Sequence, residues 1–115
     1  MSDLVVTVPL SFGWAHWIGE GDPAGESWSG QLWDFSTWPK PPIEPGERVY
    51  IVHAYKLRGY APLVRVEQVG HRYALVRGGE AVAVTIDERI TGFRGWRRRW
   101  WERDIERPFP EWRIP

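Results

Sequence analysis

The densest β-type text lies in the middle of the chain. ERVYIVHAY (residues 47–55) and YAPLVRVEQV (60–69) are rich in β-branched and aromatic residues with polar positions set between them, the pattern of strands. KLRG stands between them and reads as the connector of an antiparallel pair. HRYALVR (71–77) and EAVAVTI (80–86) follow, and Gly78-Gly79 between two such runs is the short-range signal for a two-residue hairpin. A further short run, Leu4 to Val8, is closed by Pro9. Ser11 can cap a helix that carries Trp14, Trp17 and Ile18 at i, i+3 and i+4 until Gly19 and Gly21 end it. From Gly21 to Pro45 the text is turn-rich yet studded with Trp28, Trp33, Phe35 and Trp38, too apolar for a linker, with room for one short element around residues 28–36. Short, evenly spaced strands with little helix between them predict a mostly β single domain over residues 1–115. The expected form is a small barrel or rolled sheet of about five or six mainly antiparallel strands with one or two short helices.

The segment GFRGWRRRWWERDIERPFPEW, residues 92–112, interleaves four tryptophans with six arginines. A helical period lines up Phe93, Trp96 and Trp100 but puts Arg97 and Asp104 in the same stripe. A strand period alternates tryptophan and arginine, which suits an element lying between a core and a wet groove. Gly92 and Gly95 oppose a helix start, so a strand is expected through about Trp100.

Charge sharpens this picture. The formal net charge is zero, yet residues 1–47 carry a net −6 and residues 48–115 a net +6. A fold that segregates the two halves presents a positive face to a polyanion, because local potential steers association; a fold that mixes them pairs the charges internally. The absence of cysteine excludes disulfides and thiolate zinc sites and makes a cytoplasmic address the expectation. Asp3 stands where a signal peptide carries positive charge, and the first apolar run is broken by Thr7 and Pro9, well short of the roughly 20 residues of a membrane span. No membrane contact is expected.

The order of an initial strand, a Trp-bearing helix, a tryptophan-rich excursion, PGERVYIV, a turn and RGYAPLVRVE resembles the PUA-like superfamily of small pseudo-barrels, which includes the PUA, ASCH and EVE domains. Pro45, Gly46, Glu47, Arg48 and Val49 are similar to the Pro-Gly-Asp-x-Val lead-in to the second strand of ASCH and EVE domains. Arg58, Gly59 and Tyr60 stand where those families start the next strand, and Gly92 to Trp101 is similar to a barrel-closing strand. The resemblance implies a PUA-like pseudo-barrel and, since most members bind RNA or modified nucleobases, a partner of that kind. Two features differ: SFGWAHWIGEG lacks the Gly-x-Lys-x-x-Glu-x-Arg motif of many ASCH domains, and only Lys40 and Lys56 are available for the lysine of the hydrolytic ASCH branch. A non-catalytic module without cofactor is the expectation.

Within that frame, Trp14, Trp17, Trp28, Trp33 and Tyr60 are candidates for an aromatic pocket, since a base stacked on an aromatic face gains about 1–3 kcal/mol. The plain alternative is that the tryptophans fill the core. Arg94, Arg97, Arg98 and Arg99, with Lys56 and Arg58 in the KLRG turn, are candidates for phosphate. Against this, Arg98 and Glu102 would form an ordinary i, i+4 pair on a helix, and arginine also covers tryptophan faces by cation–π contact. His16 and Glu20 are spaced for a metal but have no third ligand in sight, so no metal site is expected. Two other classes of function compete. One is a small nucleoside-acting hydrolase using Glu20 or Glu26 as acid or base; the other is an interaction module whose tryptophans form a homodimer face. A monomer or weak homodimer is expected.

Overall fold

Two runs of consecutive apolar residues become β1 (Leu4–Thr7) and β3 (Arg48–His53), which pair in parallel with Leu4 opposite Val49. Leu4 to Val6 and Val49 to His53 are all buried, as unbroken apolar runs require of strands covered on both faces. The computed structural model describes residues 2–12, 14–15, 34–37, 39–77 and 81–114. Within it β2 (Asp34–Thr37), β4 (Lys56–Val69), β5 (Arg72–Arg77) and β7 (Trp96–Arg98) join the first pair in a six-stranded mixed sheet of order β2-β5-β4-β3-β1-β7. A separate ribbon is made by β6 (Val84–Thr85) and β8 (Arg107–Pro108). The protein is therefore mostly β, and the sheet curls into a half-barrel. Helical geometry among the described residues is confined to 3-10 turns at Leu10–Phe12 and Arg103–Ile105 and to Trp14 and Ala15. The remainder of the helix expected up to Ile18 lies outside the described residues, and no helix among them is long and apolar enough to cross a membrane.

The curl comes from β4. Lys56 to Pro62 pair with β3, whereas Leu63 to Val69 pair with β5, so one long strand serves two neighbours in tandem. Register shifts opposite Ile51/Val52 and between Leu63 and Arg65 mark a bulge in each half. Bulges bend a strand and raise its twist. Side chains of the central strands then alternate between two cores. Leu4, Val6, Val49 and Ile51 pack on one face with Trp14 and Trp112. Val5, Tyr50 and Val52 pack on the other with Ile86, Ile90 and Trp101.

Two expected turns are placed differently. The β3–β4 reversal is Ala54-Tyr55, not KLRG, because His53 pairs with Lys56 and KLRG already lies in β4. Residues 78–80 lie outside the described part, but the runs on either side of them do not pair with each other. β5 sits between β2 and β4, and beyond the break Val82 resumes pairing with β4 through reciprocal bonds with Tyr60 of 2.9 and 2.8 Å. The chain thus continues along β4 where a hairpin was expected. Gly59 makes the crossing possible: at φ +157°, a Cβ there would overlap the carbonyl oxygen of Val82. Gly59→Ala should therefore destabilise the fold by about 2–3 kcal/mol, the scale of overpacking plus backbone strain, as read from urea unfolding. A loss below the noise of that measurement would mean that the 81–83 segment is free to move off β4.

Candidate functional site

The sequence-predicted aromatic pocket divides on folding. Trp14 is buried, its ring stacked on His53 at 4.8 Å and 18° and its Nε1–H donating to the Trp112 carbonyl. Tyr60 is half-buried against Tyr50 and lies beneath the Arg48 guanidinium at 4.0 Å. Both are packing residues in this arrangement. Trp17, Trp28 and Trp33 lie outside the described residues, as do His16, Glu20 and Glu26.

Arg58 corrects the expectation of a reaching turn residue. The bulge in β4 sets Val52 opposite Leu57 and Ile51 opposite Gly59, which leaves Arg58 as the extra residue and re-aims its side chain. It is 2% exposed. Its Nε donates to the His53 carbonyl at 3.1 Å, its Nη1 to the carbonyls of Trp112, at 3.0 Å, and Ile114, and its plane lies 5.1 Å from the Trp14 ring. Burial brings its pKa down to about 10. His53 beside it donates Nδ1–H to the Val8 carbonyl at 2.9 Å, the only tautomer that carbonyl can accept. Burial, together with the charge of Arg58, lowers its pKa against the opposing pull of the Val8 bond.

The terminal arginines are also divided. Arg94, Arg97 and Arg98 are exposed, while Arg99 is half-buried. Arg99 donates from Nε to Asp3 at 3.1 Å and from Nη1 to the Trp101 carbonyl. The expected Arg98–Glu102 pair does not form, because residues 96–98 are strand and the i, i+4 relation has no helix to act on. The acids that do pair are distant in sequence. Buried Asp3 also accepts from the Arg48 N–H at 2.9 Å and from Arg103 at 3.1 and 2.7 Å. Burial alone would raise the Asp3 pKa, but the Arg48 N–H and the two guanidinia outweigh it and hold the pKa low. Glu106 takes the Tyr50 hydroxyl at 2.5 Å, the Trp101 indole at 2.8 Å and Arg48 Nη1 at 3.2 Å. Burial and the Glu106 carboxylate push the Tyr50 pKa well up, so it stays a neutral donor. No local sequence signal marks either acid, since their partners stand 45 to 100 residues away.

What remains exposed forms one face at the C-terminal ends of β1 and β3. An open cleft of about 530 Å³ lies between the end of β1 (Thr7 to Leu10), the Ala54-Tyr55 turn and Thr91 to Arg94. A second, of about 500 Å³, shares that turn and runs along Lys56, Ile86 to Arg89 and Phe109. A third, of about 480 Å³, holds Glu88, Arg89, Arg97 and Trp100. Arginines lie over the rings of this face, Arg89 on Tyr55 at 4.2 Å and Arg97 on Phe93 at 4.4 Å. Tyr55 and Trp100 are each 41% exposed. Lys56, Arg89, Arg94, Arg97 and Arg107 stand against only Asp87 and Glu88, of which Asp87 already binds Arg107 and Glu88 the Trp100 indole. The turn that carries Tyr55 is strained. Ala54 and Tyr55 adopt φ of 51° and 66°, the two-residue mirror-type turn that favours Asn-Gly, at about 1–2 kcal/mol for each L-residue. Sequence reasoning missed Tyr55, Arg89, Phe93 and Trp100 as site residues; the only available signal was exposed aromatics beside arginine.

No protein-family model, curated protein or solved structure matches the chain. Among the described residues, no three histidines or acids converge to hold a metal ion.

The lowered pKa of His53 sets a pH dependence. Below the ordinary histidine value of about 6.5 the unfolded chain takes up a proton that the folded chain refuses, so stability falls with pH until the folded pKa is reached. Thermal unfolding from about pH 7 to about pH 5 should show this loss at up to ~1.4 kcal/mol per pH unit. In His53→Gln the same range should be flatter. An equal slope in both proteins would remove His53 as its source.

Proposed function

We propose that this protein is a non-catalytic module that binds single-stranded RNA or a modified nucleotide on the face formed by Tyr55, Phe93 and Trp100 with Arg89, Arg94 and Arg97. One observation carries the reading: exposed aromatic rings already stacked with guanidinium groups line three adjoining clefts whose cations exceed their free acids. Arginine beside an aromatic face supplies both demands of an unpaired nucleotide, a π surface for the base and a cation for its phosphate. A single strand suits the site because bases can stack on these rings only when splayed out, which a duplex does not offer. The strain at Ala54-Tyr55 supports the same reading, since unrelieved backbone cost clusters where a side chain must be presented. The order of elements that resembles PUA-like domains is consistent with it. The hydrolase alternative rests on Glu20 and Glu26 and has no support from the described face.

Fluorescence polarisation with a short single-stranded RNA, titrated from low to physiological salt, tests this. Binding should weaken with salt, and the slope of log affinity against log salt should fall by about 2 in Arg94→Gln/Arg97→Gln, about one phosphate for each cation removed. Tyr55→Ala and Trp100→Ala should each cost about 1–3 kcal/mol of binding with the slope retained. Absence of binding even at low salt would reject the reading and turn attention to Trp100 and Tyr55 as a protein-contact surface.

A further inference from the structure

A second cationic cleft lies at the other end of the same strands. Ser2, Asp3, Glu47, Arg98, Arg99 and Arg103 enclose about 300 Å³ at the N-terminal ends of β1 and β3. The aromatic face sits at the C-terminal ends, a β1 length away, roughly 13 Å at about 3.3 Å per residue.

The charge accounting here is unusual for a structural ion pair. One buried carboxylate, Asp3, is shared by two guanidinia. Its Oδ2 accepts three N–H groups, from Arg99 Nε and from Arg103 Nε and Nη2, and its Oδ1 accepts the Arg48 amide. That carboxylate is saturated, and one positive charge of the pair is left uncompensated. Glu47 does not supply the balance, since its Oε1 accepts the Glu44 N–H and closes its own turn. Arg98 adds a third cation, held only by a 3.5 Å contact with the Ser2 hydroxyl. Asp3 therefore acts as an orienting residue. It fixes Arg99 and Arg103 by their inner edges, leaving Arg99 Nη2 and Arg103 Nη1 without an acceptor among the described residues. Guanidinium groups held in place by a buried acid lose little side-chain entropy when an anion arrives, and a tetrahedral oxyanion matches several N–H donors at once.

We infer that this cleft is a binding site for a phosphate dianion, gripped by Arg98, Arg99 and Arg103 and organised by Asp3. The inference does not depend on the aromatic face. Its ligand has two sources, free inorganic phosphate or a phosphomonoester at the end of a larger ligand. β7 runs antiparallel to β1, so Arg94, Arg97 and Arg98 lead from the aromatic face to this cleft. A strand whose base lies on that face can thus place a terminal phosphate here.

Isothermal titration of the full chain with inorganic phosphate, at an ionic strength held constant with chloride, tests the site itself. Saturable binding is expected, weakened about tenfold in Arg98→Gln, the loss of one charge-assisted contact, and unchanged in Arg72→Gln on the distant β5. Arg98 is chosen because it has no part in holding Asp3, so the variant should keep the wild-type unfolding midpoint. A short RNA with a 5′-phosphate, a 3′-phosphate or neither then separates the sources. Tighter binding of either phosphorylated form, lost in Arg98→Gln, assigns the site to a terminal phosphomonoester; equal binding of all three beside saturable inorganic phosphate assigns it to the free anion. No saturable effect of phosphate over chloride, with phosphorylated and unphosphorylated RNA binding alike, overturns the inference whatever the RNA affinity proves to be.

Discussion

A single guanidinium buried inside the sheet ties the two ends of this chain together. Arg58 leaves water with no carboxylate among its bonded partners, and its charge is met by the carbonyls of His53, Trp112 and Ile114 and by the face of Trp14. Burying a cation this way costs several kcal/mol unless its donors are satisfied, and here the satisfying oxygens come from the β3 end and the last residues of the chain. The bulge in β4 that points Arg58 inward therefore also fixes where the C-terminal segment must end. Once Trp112 is held beneath Trp14 on one face, Trp101 is left to fill the other, and the segment from 92 to 112 wraps the sheet edge from core to core.

That wrapping sorts tryptophan from arginine. β7 pairs with β1 so that Trp96 lies opposite Val6, Arg97 opposite Val5 and Arg98 opposite Leu4, and successive side chains of an edge strand point to opposite faces. Arg97 is delivered to the exposed aromatic face. Arg98 goes to the other side, near Asp3. The interleaved text thus serves both purposes at once: Trp101 and Trp112 are core, Arg99 and Arg103 hold a buried acid, and Arg94, Arg97, Arg98 and Trp100 are left at the surface. The two acidic hubs, Asp3 and Glu106, absorb part of the charge asymmetry between the chain's halves, and the cations beyond them make the candidate sites.

The strands were legible because their β-branched runs are long relative to the turns between them, and β1, β3, β4 and β5 fall where those runs stand. The errors share a cause. Glycine was taken as a mark of chain reversal, but Gly59 serves a close backbone approach, and the runs flanking Gly78-Gly79 both lie along β4. The actual reversal at Ala54-Tyr55 carries no turn residue, because its conformation is imposed by the strands it joins. Arg58 read as a surface group because a bulge has no sequence signature, and one residue of slip is enough to exchange inside for outside. Asp3 and Glu106 were invisible for a different reason: their partners are brought to them only by the parallel β1–β3 pair and the wrapped terminal segment.

The central claim is a division of labour among aromatic side chains, with Trp14, Trp101 and Trp112 holding the fold and Trp100 facing a ligand. Indole N–H resonances in nitrogen-15 spectra report this directly, since each tryptophan gives its own signal. On titration with a short single-stranded RNA, the Trp100 indole should shift progressively while those of Trp14, Trp101 and Trp112 stay in place. Movement of Trp14 with Trp100 unaffected would put the ligand on the side assigned here to the core and contradict the account.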